Sequence, residues 1–106
     1  MPDARITVPS SVPRGKPFEV RIIVRHPMET GYRTDESGKS IPRNVIRSLS
    51  CRYNGEVVFS AKLSSGIAAN PYLKFFVTAK ESGPLAFEWV DDSGVRGSDT
   101  ATVTVA

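Results

Sequence analysis

The sequence predicts an all-β chain folded as an antiparallel β-sandwich, and three observations carry that prediction. The first is a pair of alternating runs joined at Asn54-Gly55. Asn-Gly between two such runs signals a hairpin, because both central residues of a type I′ turn need positive φ. The second is the stretch from Pro17 to His26, where Phe18, Val20, Ile22 and Val24 alternate with Glu19, Arg21 and Arg25. Successive side chains on a strand point to opposite faces, so this run has one apolar and one wet face. The third is negative: no window spaces its apolar residues helically over three turns, and short alternating runs recur between turn signals instead.

Each element can be justified in order. Arg5-Ile6-Thr7-Val8 is a short alternating strand stopped by Pro9. Ser10 to Lys16 is turn chemistry, with Pro presetting φ and Gly admitting positive φ. The long strand from Pro17 closes at His26-Pro27, since Pro donates no ladder hydrogen bond and restricts the residue before it. From Pro27 to Pro42 the alternation vanishes; connections this long are uncommon in compact domains and are usually functional or disordered. Met28, Tyr32 and Ile41 give the segment apolar content that should anchor it.

In the central hairpin, Val45, Leu49, Cys51 and Tyr53 share one parity and Ser48, Ser50 and Arg52 the other. On the return, Val57, Phe59, Ala61 and Leu63 oppose Glu56, Ser60 and Lys62, with Ile46 and Val58 breaking the pattern. Ser64 to Pro71 is a second connection. Tyr72 to Ala79 is a strand with Leu73, Phe75 and Val77 inward, turned back by Lys80 to Pro84. Leu85, Phe87 and Trp89 alternate with Ala86 and Glu88, with Trp89 a candidate core anchor. Asp91-Asp92-Ser93-Gly94 turns again, and Thr100 to Val105 finishes with Ala101, Val103 and Val105 inward.

The totals fit one domain spanning residues 1–106. A chain this long buries roughly two-thirds of its unfolded surface, enough for a core without metal or disulfide staples. The net charge is +3 and the pI about 9.3, but the cations are scattered and interrupted by acids. That pattern describes a solvated surface, not the dense stripe of a nucleic-acid footprint. One cysteine makes no intramolecular disulfide, Met1 to Arg5 leads into a strand without an apolar leader segment, and no run reaches membrane-spanning length. The residues alone point to the cytoplasm.

Candidate chemistry is sparse. His26 is the single histidine and lacks the nucleophile context of a triad, so it reads as structural or interfacial. One His and one Cys make no closed zinc set, and Asp91 to Gly94 fails calcium-loop spacing and reads as a β-turn. Cys51 shares the parity of Leu49 and Tyr53, so a core position outweighs a reactive thiol. Arg14, Arg33, Arg43, Arg47 and Arg52 lack a phosphate-cradling glycine loop and read as solvated. No catalytic residue, cofactor site or metal site is assigned.

The segments His26-Pro27-Met28-Glu29-Thr30-Gly31-Tyr32-Arg33, Ile41-Pro42-Arg43, Cys51 to Phe59, Gly66 to Tyr72 and Phe87-Glu88-Trp89 resemble the SoxZ family over nearly the whole chain. SoxZ is one half of the SoxYZ sulfur carrier of bacterial thiosulfate oxidation. The resemblance implies an immunoglobulin-like sandwich without a disulfide that forms a heterodimer with SoxY, whose flexible C-terminal arm carries sulfur on a cysteine. This sequence ends Thr102-Val103-Thr104-Val105-Ala106, without such an arm, as expected for the Z half. The resemblance also implies the periplasm, reached by co-export with a signal-bearing partner, in place of the cytoplasm.

The expectation is therefore a non-catalytic subunit that binds and stabilises SoxY and meets other Sox enzymes only indirectly. No nucleic acid and no membrane are expected as partners, and a homo-oligomer of the isolated subunit is left open. Met28, Tyr32, Arg33, Arg43 and Tyr72 are the expected partner-interface residues, placed in loops outside the alternating core. A free sheet edge is a further route to a partner. The rival readings are a stand-alone sandwich module binding carbohydrate or an export client, and an enzyme using an accessible Cys51 thiol.

Overall fold

The computed structural model describes residues 4–63 and 70–106. Seven strands appear in the order β1 (Ala4–Thr7), β2 (Pro17–Val24), β3 (Ile46–Tyr53), β4 (Glu56–Lys62), β5 (Tyr72–Thr78), β6 (Gly83–Asp91) and β7 (Arg96–Val103). They form two antiparallel sheets, one ordered β1-β2-β5 and the other β4-β3-β6-β7. This is the antiparallel sandwich that the alternation implies, in the disulfide-free, immunoglobulin-like form that the family resemblance implies.

The core lies between the sheets and is built from one parity of every long strand. Phe18, Val20, Ile22 and Val24 of β2 face Leu49 and Cys51 of β3 and Leu85 and Phe87 of β6, all buried. Fully burying such side chains contributes about 1.5–3 kcal/mol each. Aromatic contacts cross the layer: Phe59 of β4 stacks on Phe75 of β5 with ring centroids 4.2 Å apart, and Phe18 meets Tyr53 edge-on at 6.2 Å. Trp89 is a core residue as expected, and it lies over Gly97 of β7, the residue opposite it in the ladder. A side chain at that position would occupy the indole's space.

The β3–β4 hairpin turns at Asn54 (φ 50°) and Gly55 (φ 86°), both left-handed as the type I′ reading requires. The Tyr53 hydroxyl donates to the Glu81 carbonyl and accepts from the backbone N–H groups of Lys80 and Glu81, each at 3.2 Å. One phenol thereby ties the end of β3 to the β5–β6 turn.

Several expectations need correction. Val57 faces outward, because a bulge lets Cys51 pair Phe59 while Arg52 pairs Val57; Val58 is the extra residue, and it resets the parity of β4. Val45 and Ile46 are both buried, because the β3–β6 register shifts between Ile46 and Ser48. Strand β7 begins at Arg96, not Thr100: the ladder with β6 continues through Gly97 and Asp99, which carry no apolar signal. Val105, expected inside that strand, makes an isolated parallel bridge with Val12. Strand β2 stops at Val24, two residues before the His26-Pro27 boundary. Residues 64–69 of the second connection, with most of the Gly66–Tyr72 stretch, lie outside the described residues.

Candidate functional site

The excursion between β2 and β3 is anchored at its root by His26. The backbone N–H of Met28 donates to His26 Nδ1 at 3.0 Å, and because an N–H can only donate, Nδ1 must be the acceptor. The ring proton therefore sits on Nε2, which donates to Asp91 Oδ2 at 3.1 Å. Asp91 is buried, and its other oxygen accepts the N–H groups of Ser93 and Val95. Burial alone would raise the Asp91 carboxyl's pKa, but the hydrogen bonds from His26 and the two amides outweigh it and hold the pKa below the usual value. This histidine is a structural latch between the excursion and the β6–β7 turn.

Met28 adopts φ 51° and its side chain is buried at 3% exposure, with the Ile46 N–H pointing at its sulfur at 3.3 Å. The expectation that Met28 lies outside the core is wrong: the turn at His26-Pro27 swings this residue back under the excursion, where an unbranched thioether fills the gap. Glu29 bridges Asn44, and Gly31 (φ 90°) leaves room for Arg43, whose Cβ would stand 3.2 Å from a Cβ at Gly31. Beyond this neck the chain makes a small antiparallel turn. Ile41 N–H meets Arg33 O, and the Asp35 carboxylate gathers Ser37 and Lys39. The segment is thus an arm held by its own bridges, and of the three expected anchors Met28 is buried, Ile41 is half-buried and Tyr32 is exposed.

Tyr32 stands on this arm at 89% exposure. Arg33 beside it pairs with Glu29 through Nε at 3.0 Å, and Arg43 reaches Asp92 Oδ2 at 3.3 Å, with Arg47 on the other oxygen at 3.9 Å. Tyr32, Arg33 and Arg43 therefore share one locality. Tyr72 does not join them: it opens β5, as the strand reading of Tyr72 to Ala79 has it and against its grouping with the loop residues, and stands opposite Ile23 on the outer face of the three-stranded sheet. The sequence reading missed Ile23 and Phe76 as surface residues, although a signal existed. Each is an apolar residue on the wet parity of its strand, Ile23 between Arg21 and Arg25, and Phe76 between Lys74 and Thr78.

The thiol offers no accessible chemistry. Cys51 is 0% exposed between Phe59 and Phe87 in the ladder, and burial pushes its pKa up to about 11. A nucleophilic cysteine needs the reverse, a solvent-reachable thiolate. Among the described residues no group of three or more His, Cys, Asp or Glu converges as a metal site.

Comparisons with known proteins follow this geometry. The chain resembles solved superoxide reductases in fold. One is neelaredoxin from Ignicoccus hospitalis, with TM-score 0.72 and 20% identity over 97% of this chain and 80% of that one. Another is a putative superoxide reductase from Thermotoga maritima, with TM-score 0.73 and 14% identity over 97% and 85%. It is also similar to the sulfur carrier protein SoxY from Chlorobium limicola f thiosulfatophilum, with TM-score 0.67 and 12% identity over 98% of this chain and 79% of that one. These likenesses establish the fold alone. No curated protein matches the chain in sequence. The family described as sulphur oxidation protein SoxZ matches residues 6–102, and on that match the chain belongs to the SoxZ family.

Proposed function

We propose that this chain is the non-catalytic half of a SoxYZ sulfur carrier, binding and stabilising a SoxY whose cysteine arm holds the sulfur intermediates of thiosulfate oxidation. Family membership supports the pathway, and the observation that carries the division of labour is the enclosure of Cys51. A carrier thiol must be an exposed thiolate that visits several enzymes in turn, and the one cysteine of this sequence is neither exposed nor acidified. The sulfur-bearing thiol then belongs to the partner. Tyr32 and Arg33 on the arm, Arg43 at its neck and Tyr72 on β5 are surface groups of the types that dominate interfaces. The reading includes a periplasmic location, reached by export attached to the partner.

The test is co-expression with a SoxY, followed by size-exclusion chromatography and native mass measurement. A one-to-one complex is expected. A chain that stays alone beside SoxY would instead favour a stand-alone binding module. Reconstituting Cys51→Ala with SoxY should leave thiosulfate-dependent turnover near parental, with sulfur adducts found by intact mass only on SoxY.

A further inference from the structure

The outer face of the three-stranded sheet is unlike an ordinary wet face. Directly opposite residues of antiparallel strands share a side, so the ladder places Arg5, Ile23 and Tyr72 in one row. Thr7, Arg21 and Lys74 form the next row, and Glu19 and Phe76 the third. Ile23 is 37% exposed, Tyr72 51% and Phe76 64%. Among the described residues these are three of the six large apolar side chains left open to solvent; the others, Tyr32, Val57 and Val95, lie apart on the arm, on β4 and in the β6–β7 turn. Clustering on one face is what separates a binding patch from scattered exposure.

The charges on this face are lopsided. Arg5, Arg21 and Lys74 are answered by Glu19 alone, which takes Arg21 at 3.0 Å and Lys74 at 3.7 Å. The edge beside Phe76 is also long and regular, with Lys74 its one charged side chain. Strand β4 carries the bulge at Val58, β1 has four residues, and β7 exposes Arg96 and Thr100. Strand β5 runs seven residues in unbroken register with β2. Phe76 also lines an open cleft of about 780 Å³ between β5 and the β3–β4 hairpin, so face and edge are continuous.

We propose that the outer face of β1, β2 and β5, centred on Ile23, Tyr72 and Phe76, is where the SoxY partner docks, through a patch of its own that is apolar with an acidic rim. This rests on the function proposed above and adds the surface and the chemistry of its counterpart. A second copy of this chain fits the face poorly. A symmetric contact would set its three cations against their equals with only Glu19 between them on each copy, and like charges across an interface are strongly unfavourable.

The experiment measures affinity for purified SoxY of the parent chain and of Phe76→Glu, Phe76→Lys, Ile23→Glu and Tyr72→Ala, with thermal melts as a folding check. Phe76→Glu and Ile23→Glu are expected to weaken binding about tenfold or more, and Phe76→Lys less, because only the acidic substitutions repel an acidic rim. Tyr72→Ala, which adds no charge, covers the case in which an acidic variant melts early; it should also weaken binding. Parental affinity in all four variants, with the parent complex intact, would overturn the face and leave the proposed function standing. Failure of the parent itself to bind SoxY would remove both. Dimers of the isolated parent that dissociate in Phe76→Glu would assign the face to a second copy and overturn the inference.

Discussion

The outer faces of the two sheets differ in how many large apolar side chains they expose. On the four-stranded sheet, Ser60, Ser50, Glu88 and Ser98 stand in one row and Val57, Arg52, Ala86 and Thr100 in the next, with Lys62, Ser48, Val90 and Arg96 beyond. This surface is hydroxyl-rich and carries one exposed large apolar side chain, Val57, with a 310 Å³ hollow lined by Ser48, Ser50, Glu88 and Arg96. On the three-stranded sheet the equivalent positions hold Ile23, Tyr72 and Phe76 among cations. Both surfaces follow from the same period-two alternation. Parity decides which side of a strand is wet, and side-chain volume and charge decide whether that side has something to bind.

Four experiments break or sharpen this contrast. The largest effect lies beneath both faces, in the core they share. Phe87→Ala should cost about 3–5 kcal/mol, because Phe87 is fully buried and packs against Phe75 across the layer. Chemical denaturation would show it as a lowered midpoint at unchanged slope. Loss of partner binding in that variant would say nothing about either face.

Gly97→Val comes next and touches the four-stranded sheet only. A Cβ there meets the Trp89 indole, so the ring must leave its place or the β6–β7 pair must open, at about 1–3 kcal/mol. Near-UV circular dichroism of the single tryptophan should change with it. Strand β5 has no glycine, and Phe76→Ala should leave stability within about 0.5 kcal/mol of parental. Equal melting of the two variants would mean that the sheets do not differ in packing demand as described.

The third effect is a slope with pH. Asp91 has a folded pKa below its unfolded value near 3.9. Its contribution is present in full above the unfolded value and is lost as pH falls through the folded one. Asp91→Asn should flatten the acid limb of stability against pH. An unchanged acid limb would show that the His26–Asp91 latch contributes nothing to the join between arm and sandwich. The smallest expected effect is Ser98→Glu, on the hydroxyl-rich face, which should alter neither the melt nor SoxY affinity. A tenfold loss of affinity there would reverse the assignment of the two faces.

Much of this was legible in the residues. The Asn54-Gly55 turn, the inward sets of β2, β5 and β6, and the buried position of Cys51 follow from local rules of period and turn chemistry, which need no partner strand to operate. The misses share a cause. The bulge at Val58, the register shift after Ile46 and the early start of β7 at Arg96 all depend on which strand lies alongside, and alternation within one strand does not contain that information. Interface residues were harder still. Met28 anchors its segment from within the core and so is no interface residue, and Tyr72 offers its ring from the start of a strand and not from a loop. Ile23 and Phe76 each break their strand's polar parity, a signal that becomes a patch only when β2 and β5 pair.

The sequence by itself determined the fold class, the hairpin at Asn54-Gly55, the enclosure of the single thiol and, through motifs spread along most of the chain, membership of the SoxZ family. Those depend on short-range constraints, such as backbone sterics, strand period and the apolar content of each run. Only the tertiary structure decided that His26 and Asp91 meet across 65 positions, that Met28 folds under the arm, and that Ile23, Tyr72 and Phe76 share one exposed face. The reason is that these are pairings between segments remote in sequence, and their relative placement emerges only when the two sheets close on a common core.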